Sequence, residues 1–179
     1  MAQPLIPSSE RARTTAIVHK ALAVVRPQFR LRVRDGIHGL PHWSRVWFHG
    51  RGLAMAEGVD PAILAWFAFL HDSQRQNDGW DPGHGSRAAD FAAGLRRDGV
   101  LTELSAADFE RLCEAMRLHS DGALEGDAAV RACWDADRLD LLRVGIHPDP
   151  RRLCTARARE ASVRSRANRM ATAGARALW

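Results

Sequence analysis

Nine consecutive apolar residues, Ala62 to Leu70, stand between Asp60-Pro61 and His71-Asp72. Asp at the N-cap with Pro at the first helical position is a strong helix start, because Pro has no amide hydrogen to lose there and its φ is already helical. The run is far short of the roughly 20 residues a membrane span needs. It therefore predicts a soluble-core helix buried on nearly all sides, closing on a histidine and a carboxylate.

The rest of the chain repeats the helical period. Residues 10–29 carry Ile17, Val18, Ala21, Leu22 and Val25 on a 3.6-residue stripe. A charged, Gly-containing loop is expected through Gly39 and Pro41. A helix from about His42 places Trp43, Val46, Trp47, Gly50, Leu53 and Ala54 on one face and ends at Gly58. Residues 73–85 are polar, with three Gly and one Pro, and predict a loop. A helix follows from Ser86 to Arg97. Ser105 and Asp108 form a capping-box pattern ahead of Phe109, Leu112, Cys113 and Met116. A further helix is expected over roughly 128–144, and a long surface helix from Pro150. No strand-like alternation, repeat or low-complexity linker is present. The expectation is one all-α domain over 1–179, a compact bundle of about six to seven helices with an Arg-rich C-terminal helix at about 150–179.

Composition narrows the function classes. The 179 residues are 46% hydrophobic and 26% charged, ordinary for a globular chain. Ala16–Val25 is interrupted by His19 and Lys20, with no cleavage site behind it, so no signal peptide is expected. Cys113, Cys133 and Cys154 are widely spaced with no CxxC pair. They read as small buried hydrophobes in a reducing compartment, and the expected location is cytoplasmic. The formal net charge is +5, but residues 151–179 hold eight Arg and only Glu160 as an acid. The basicity belongs to that tail, so it does not argue for nucleic acid across the domain. The Trp residues at 43, 47, 66 and 134 fall on apolar faces and read as core.

Two observations locate chemistry. His119 continues the buried stripe of Leu112 and Met116, where an imidazole needs a partner. Val130, Trp134, Asp137, Leu141 and Val144 form one apolar stripe with a carboxylate in its middle. A buried lone carboxylate is very costly unless paired or bound to a metal; an Arg partner, a metal or exposure at a groove are the available explanations, and His with Asp favours a metal.

At His42 in HWSRV, His71-Asp72 in FLHDSQR and Asp137 in WDADRLDLLRVG, the chain resembles the HD superfamily of metal-dependent phosphohydrolases. The resemblance spans residues 38–144. The family motif is H…HD…D on an all-α scaffold, and binuclear members add two histidines. His84 in GHGSRAA and His119 in RLHSDG stand where those are expected. The resemblance implies His42, His71, Asp72, His84, His119 and Asp137 as ligands of one or two divalent ions (Mn, Fe, Co, Ni or Mg). It implies hydrolysis of a small phosphate ester or nucleotide through a metal-activated water, with Asp72 able to bridge two metals. Asp72, Arg45 and Arg75 are the expected catalytic residues, the arginines as phosphate clamps. Arg75 stands where many relatives carry Lys. The chain has no Tyr, so the GYP signature of the cyclic-dinucleotide branch is missing from HSDGALEG. A di-iron oxygenase with the same six ligands is the alternative, and a non-catalytic nucleic-acid module using the tail is a lesser one. The expected partner is a small phosphorylated substrate, with no membrane. His38 reads as a loop residue, with a place lining the site as the lesser reading. His19, His49 and His147 read as structural or solvent-facing.

Overall fold

The computed structural model describes residues 7–173. Among them the order is α1 (Ser8–Val25), α2 (Leu40–Glu57), α3 (Pro61–Leu70), α4 (His84–Arg97), α5 (Ala106–Leu118), α6 (Ala128–Arg138), two 3₁₀ turns (Leu141–Val144 and Pro150–Arg152), α7 (Ala156–Arg159) and α8 (Ala161–Thr172). No strand occurs among the described residues. The fold is all-α, as the helical periodicity predicts.

Helix α3 is the axis. Every one of its ten residues is buried, and α1, α2, α5 and α6 pack around it. Asp60 caps it by accepting from the Ala62 amide at 2.9 Å. The same carboxylate receives both terminal nitrogens of Arg13, at 2.9 and 2.8 Å, and so ties α1 to the start of α3. Trp66, Phe67, Phe69, Ile63, Leu64 and Leu70 are fully enclosed, each worth about 1.5–3 kcal/mol of transfer free energy. Trp43 and Trp134 are also enclosed and Trp47 packs against the core, in line with the core reading. The three cysteines are buried and unpaired.

Helix ends depart from expectation where backbone chemistry intervenes. Helix α1 ends at Val25: Arg26 keeps helical geometry and donates to the Leu22 carbonyl at 3.1 Å, but Pro27 has no amide hydrogen to continue the ladder. Helix α2 starts at Leu40, taking Pro41 into its first turn, and ends as expected on Gly58, whose φ of 66° suits a residue without Cβ. Helix α4 begins at His84, two residues early. Ser105 accepts from the Asp108 amide at 3.1 Å, the expected cap.

Two larger corrections fall in the C-terminal third. Helix α6 ends at Arg138, and Leu141–Val144 tightens into a 3₁₀ turn that closes on Gly145 at φ 82°. Val144 is consequently 40% exposed and leaves the apolar stripe. The tail is not one long surface helix. It bends at Leu153–Thr155, where the buried Asp135 carboxylate accepts from the amides of Cys154 (2.8 Å) and Thr155 (2.7 Å) and from the Thr155 hydroxyl (2.8 Å). An extended Glu160 then separates α7 from α8. Residues 174–179 of the expected tail helix lie outside the described residues. No described helix is long and apolar enough to cross a membrane.

Candidate metal centre

Five helix ends converge on one point. Helix α2 brings His42 in its first turn, α3 ends in His71-Asp72, α4 begins with His84, α5 ends in His119, and the last turn of α6 carries Asp137. All six expected ligands are brought together, and all six are buried. Gly85 permits the meeting of α4 and α5. A Cβ at that position would lie 2.2 Å from the Met116 carbonyl oxygen, so only glycine lets His84 approach His119.

Asp72 sits at the centre. Its Oδ2 lies 3.5 Å from Nε2 of both His42 and His71. Its Oδ1 lies 3.2 Å from His84 Nε2 and 3.7 Å from His119 Nε2. Each oxygen therefore faces its own imidazole pair. Asp137 Oδ1 joins the first pair, 3.4 Å from His42 Nε2 and 3.8 Å from His71 Nε2. The ligand atoms of His42, His71 and Asp137 all lie within 4.8 Å of one another, as do those of His71, Asp72 and His119.

The outer ring nitrogens define the chemistry of the inner ones. Nδ1 of His71 lies 3.0 Å from the Phe67 carbonyl, Nδ1 of His119 lies 2.7 Å from the Met116 carbonyl, and Nδ1 of His84 contacts the Asp81 carbonyl. A carbonyl only accepts, so these contacts assign the proton to Nδ1. Nδ1 of His42 donates likewise to Asp140 Oδ2 at 2.7 Å. Four Nε2 lone pairs are thus left aimed inward. They meet in two pairs, His42–His71 at 3.1 Å and His84–His119 at 2.8 Å. Two facing lone pairs repel unless a proton or a metal cation lies between or beside them. Asp137 Oδ1 is also buried without a hydrogen-bond partner among the described residues. Neutral imidazole nitrogens and carboxylate oxygens are a donor set suited to a first-row divalent ion, and an outer hydrogen bond on each ligating ring is the usual support of such a site. The residues present fit a metal.

Proton affinities point the same way. Burial pushes His71 down to about 3, keeping it neutral as a ligand must be. Burial alone raises the Asp72 carboxyl, but the neighbouring His71, His119, His38 and His42 rings more than reverse this and hold it well below the usual carboxylate range. Asp137 is lowered too: Arg143, His71 and His42 outweigh its burial. His119 is raised despite burial, through its contact with Asp72.

Of the two expected arginines, Arg45 is fully committed and Arg75 partly so. Arg45 lies against Asp140, Nε to Oδ1 at 2.5 Å and a terminal nitrogen to Oδ2 at 3.0 Å, both groups buried. The structure thus places Arg45 behind His42 and not open to a phosphate. Arg75 donates from Nε to Asp72 Oδ1 at 3.0 Å and from a terminal nitrogen to the carbonyls of Asn77 and Gly79. Its other terminal nitrogen has no partner among the described residues.

Two residues at the site, Asp140 and Arg143, escaped the sequence reading, and His38 entered it only as a lesser reading. Asp140 orients His42, and its carboxyl is held at about 2: burial works upward, and the His42 and Arg45 hydrogen bonds overcome it. Arg143 places a terminal nitrogen 3.7 Å from Asp137 Oδ1 and donates from Nε to the Ile37 carbonyl at 2.9 Å. His38 is a loop residue, as read from the sequence, and its Nδ1 also lies 2.7 Å from Asp72 Oδ2. His49 is buried, and His147 is exposed beside Asn168.

Comparison with models of known protein families, with curated proteins and with solved structures yields no match to this chain.

Proposed function

We propose that this chain is a binuclear metal-dependent phosphohydrolase of the HD type, acting on a small phosphate ester or nucleotide. The observation that carries the reading is the convergence of four inward Nε2 lone pairs, two on each oxygen of one buried carboxylate. His42, His71 and Asp137 would hold one divalent ion and His84 with His119 the other, Asp72 serving both. Ions bound there supply Lewis acidity toward a phosphoryl oxygen and a water of lowered pKa.

The chain's own groups do the rest. Asp72 keeps the two halves in register. The rings behind it exclude bulk water: Phe67 stacks on His71 with centroids 4.8 Å apart. Arg75, through its unpartnered terminal nitrogen, and Arg143, beside Asp137, are the guanidiniums placed to orient a phosphate, since Arg45 is spent on Asp140. Planar bidentate contact is their natural mode toward phosphoryl oxygens.

The test is phosphate release from a panel of phosphomonoesters and phosphodiesters with Mn²⁺, Mg²⁺, Co²⁺ or Ni²⁺, in the parent chain and in Asp72→Ala. Metal-dependent release that vanishes in the folded variant supports the proposal. Equal turnover in both chains refutes the assigned centre. Turnover that needs dioxygen and two irons, without phosphate release, replaces hydrolysis with the oxygenase chemistry that the same ligand set serves.

A further inference from the structure

Four histidines at the centre share one orientation and a fifth reverses it. His42, His71, His84 and His119 turn Nδ1 outward and Nε2 inward. His38 turns Nδ1 inward, 2.7 Å from Asp72 Oδ2, and it is buried at 5% exposure. The ionised carboxylate only accepts, so the proton of this contact sits on His38 Nδ1. A protonated nitrogen has no lone pair for a cation, so His38 is a donor to the ligand and not a ligand.

Asp72 Oδ1 has a matching donor. Arg75 Nε lies 3.0 Å from it. Each oxygen of the central carboxylate therefore carries one outer donor as well as one imidazole pair. A carboxylate serving two ions must hold its plane, because rotation about the bond to Cβ takes both oxygens off their targets together. One donor on each oxygen opposes that rotation from both sides. The loop carrying His38 is itself anchored. The Leu40 amide donates to the Val33 carbonyl at 2.7 Å, the Gly36 amide to the Arg32 carbonyl at 3.1 Å, and Arg143 grips the Ile37 carbonyl at 2.9 Å. Arg143 thus links the residue before His38 to the neighbourhood of Asp137, on the same half of the site.

We infer that His38 is a positioning residue that fixes the Asp72 carboxylate by donating from Nδ1 to Oδ2, and thereby sets the cation affinity of the centre. The inference rests on the metal-centre reading above. The hydrogen bond is the operative part, not the bulk of the ring. Asparagine places its amide nitrogen near the position of an imidazole Nδ1, whereas the glutamine amide nitrogen falls near Nε2.

The experiment titrates Co²⁺ into the metal-free full chain, following visible absorption and bound metal, for the parent and for His38→Ala, His38→Gln and His38→Asn. Circular dichroism in chelator establishes that each chain is folded. Loss of an outer-shell hydrogen bond typically costs about 10–100-fold in metal affinity. Co²⁺ binding should weaken by about that factor in the Ala and Gln variants, with an altered visible spectrum, and recover toward the parent in Asn. If His38→Ala fails to fold, the Gln and Asn pair alone decides. Unchanged affinity in Ala or Gln, or an Asn chain as weak as Gln, overturns the positioning role while leaving the metal centre standing. A parent chain that takes up no Co²⁺ removes the metal centre itself, and this inference with it.

Discussion

Replacing Asp140 by alanine isolates the ion pair behind the metal centre. Asp140 is fully buried, and it accepts from His42 Nδ1 at 2.7 Å and from two nitrogens of Arg45 at 2.5 and 3.0 Å. Its carboxyl lies at about 2 against an ordinary 3.8, a difference worth about 2 kcal/mol. Since the folded pKa is the lower one, that contribution is present above the ordinary value and is lost as the pH falls through about 2. Removing the side chain costs more than this, because Arg45 stays behind as a buried charge without its carboxylate and His42 loses its acceptor. Breaking a buried pair in this way costs about 3–5 kcal/mol, which for a domain of this size lowers the melting temperature by about 6–20 °C. The assay is urea unfolding with chelator present, so that metal loss does not enter. Arg45→Met/Asp140→Ala is the decisive companion. It removes the stranded charge, so the double variant should be more stable than Asp140→Ala alone. A double variant as unstable as the two single losses added together would refute the argument that a stranded Arg45 dominates the cost.

Gly85→Ala should reduce bound metal from two to one per chain with helicity retained, because the new Cβ meets the Met116 carbonyl at 2.2 Å and forces His84 away from His119; metal analysis after reconstitution checks it. His49 is held at about 4 against 6.5 by burial, and its Nε2 has no hydrogen-bond partner among the described residues. Its lowered pKa leaves stability whole above pH 6.5 and removes about 3 kcal/mol as the pH falls to about 4, so His49→Leu should flatten the acid side of the stability profile measured by urea unfolding.

The parts of the structure that a sequence can express locally were legible in it. Asp60-Pro61 and nine apolar residues allow one structure for 60–70, and α3 has it. Asp137 stood out because a carboxylate on an apolar stripe has few cheap explanations, and the structure places it beside His42 and His71. Asp140 did not stand out, although it is only three residues further. Its partners His42 and Arg45 lie 98 and 95 residues away, and nothing within its own segment announces them. His38 sits one helical turn before His42, yet a Gly-flanked loop gives no periodicity from which to read a direction. The tail misled for the opposite reason. Its arginines and alanines favour helix, but the buried Asp135 needed backbone donors, and the amides of Cys154 and Thr155 supply them only where the helix is interrupted. Arg45 shows a further limit: its charge suited a phosphate, and only the approach of residue 140 reveals that the charge is already spent.

The central claim is that the buried histidine and aspartate cluster holds two divalent ions. Elemental analysis of the full chain, stripped with chelator, reconstituted with Mn²⁺ or Co²⁺ and freed of excess metal, tests it most directly. The account predicts two ions per chain in the parent, one in His84→Ala and none in Asp72→Ala. A parent chain that binds one ion contradicts the binuclear centre, and a parent that binds none contradicts the metal site altogether.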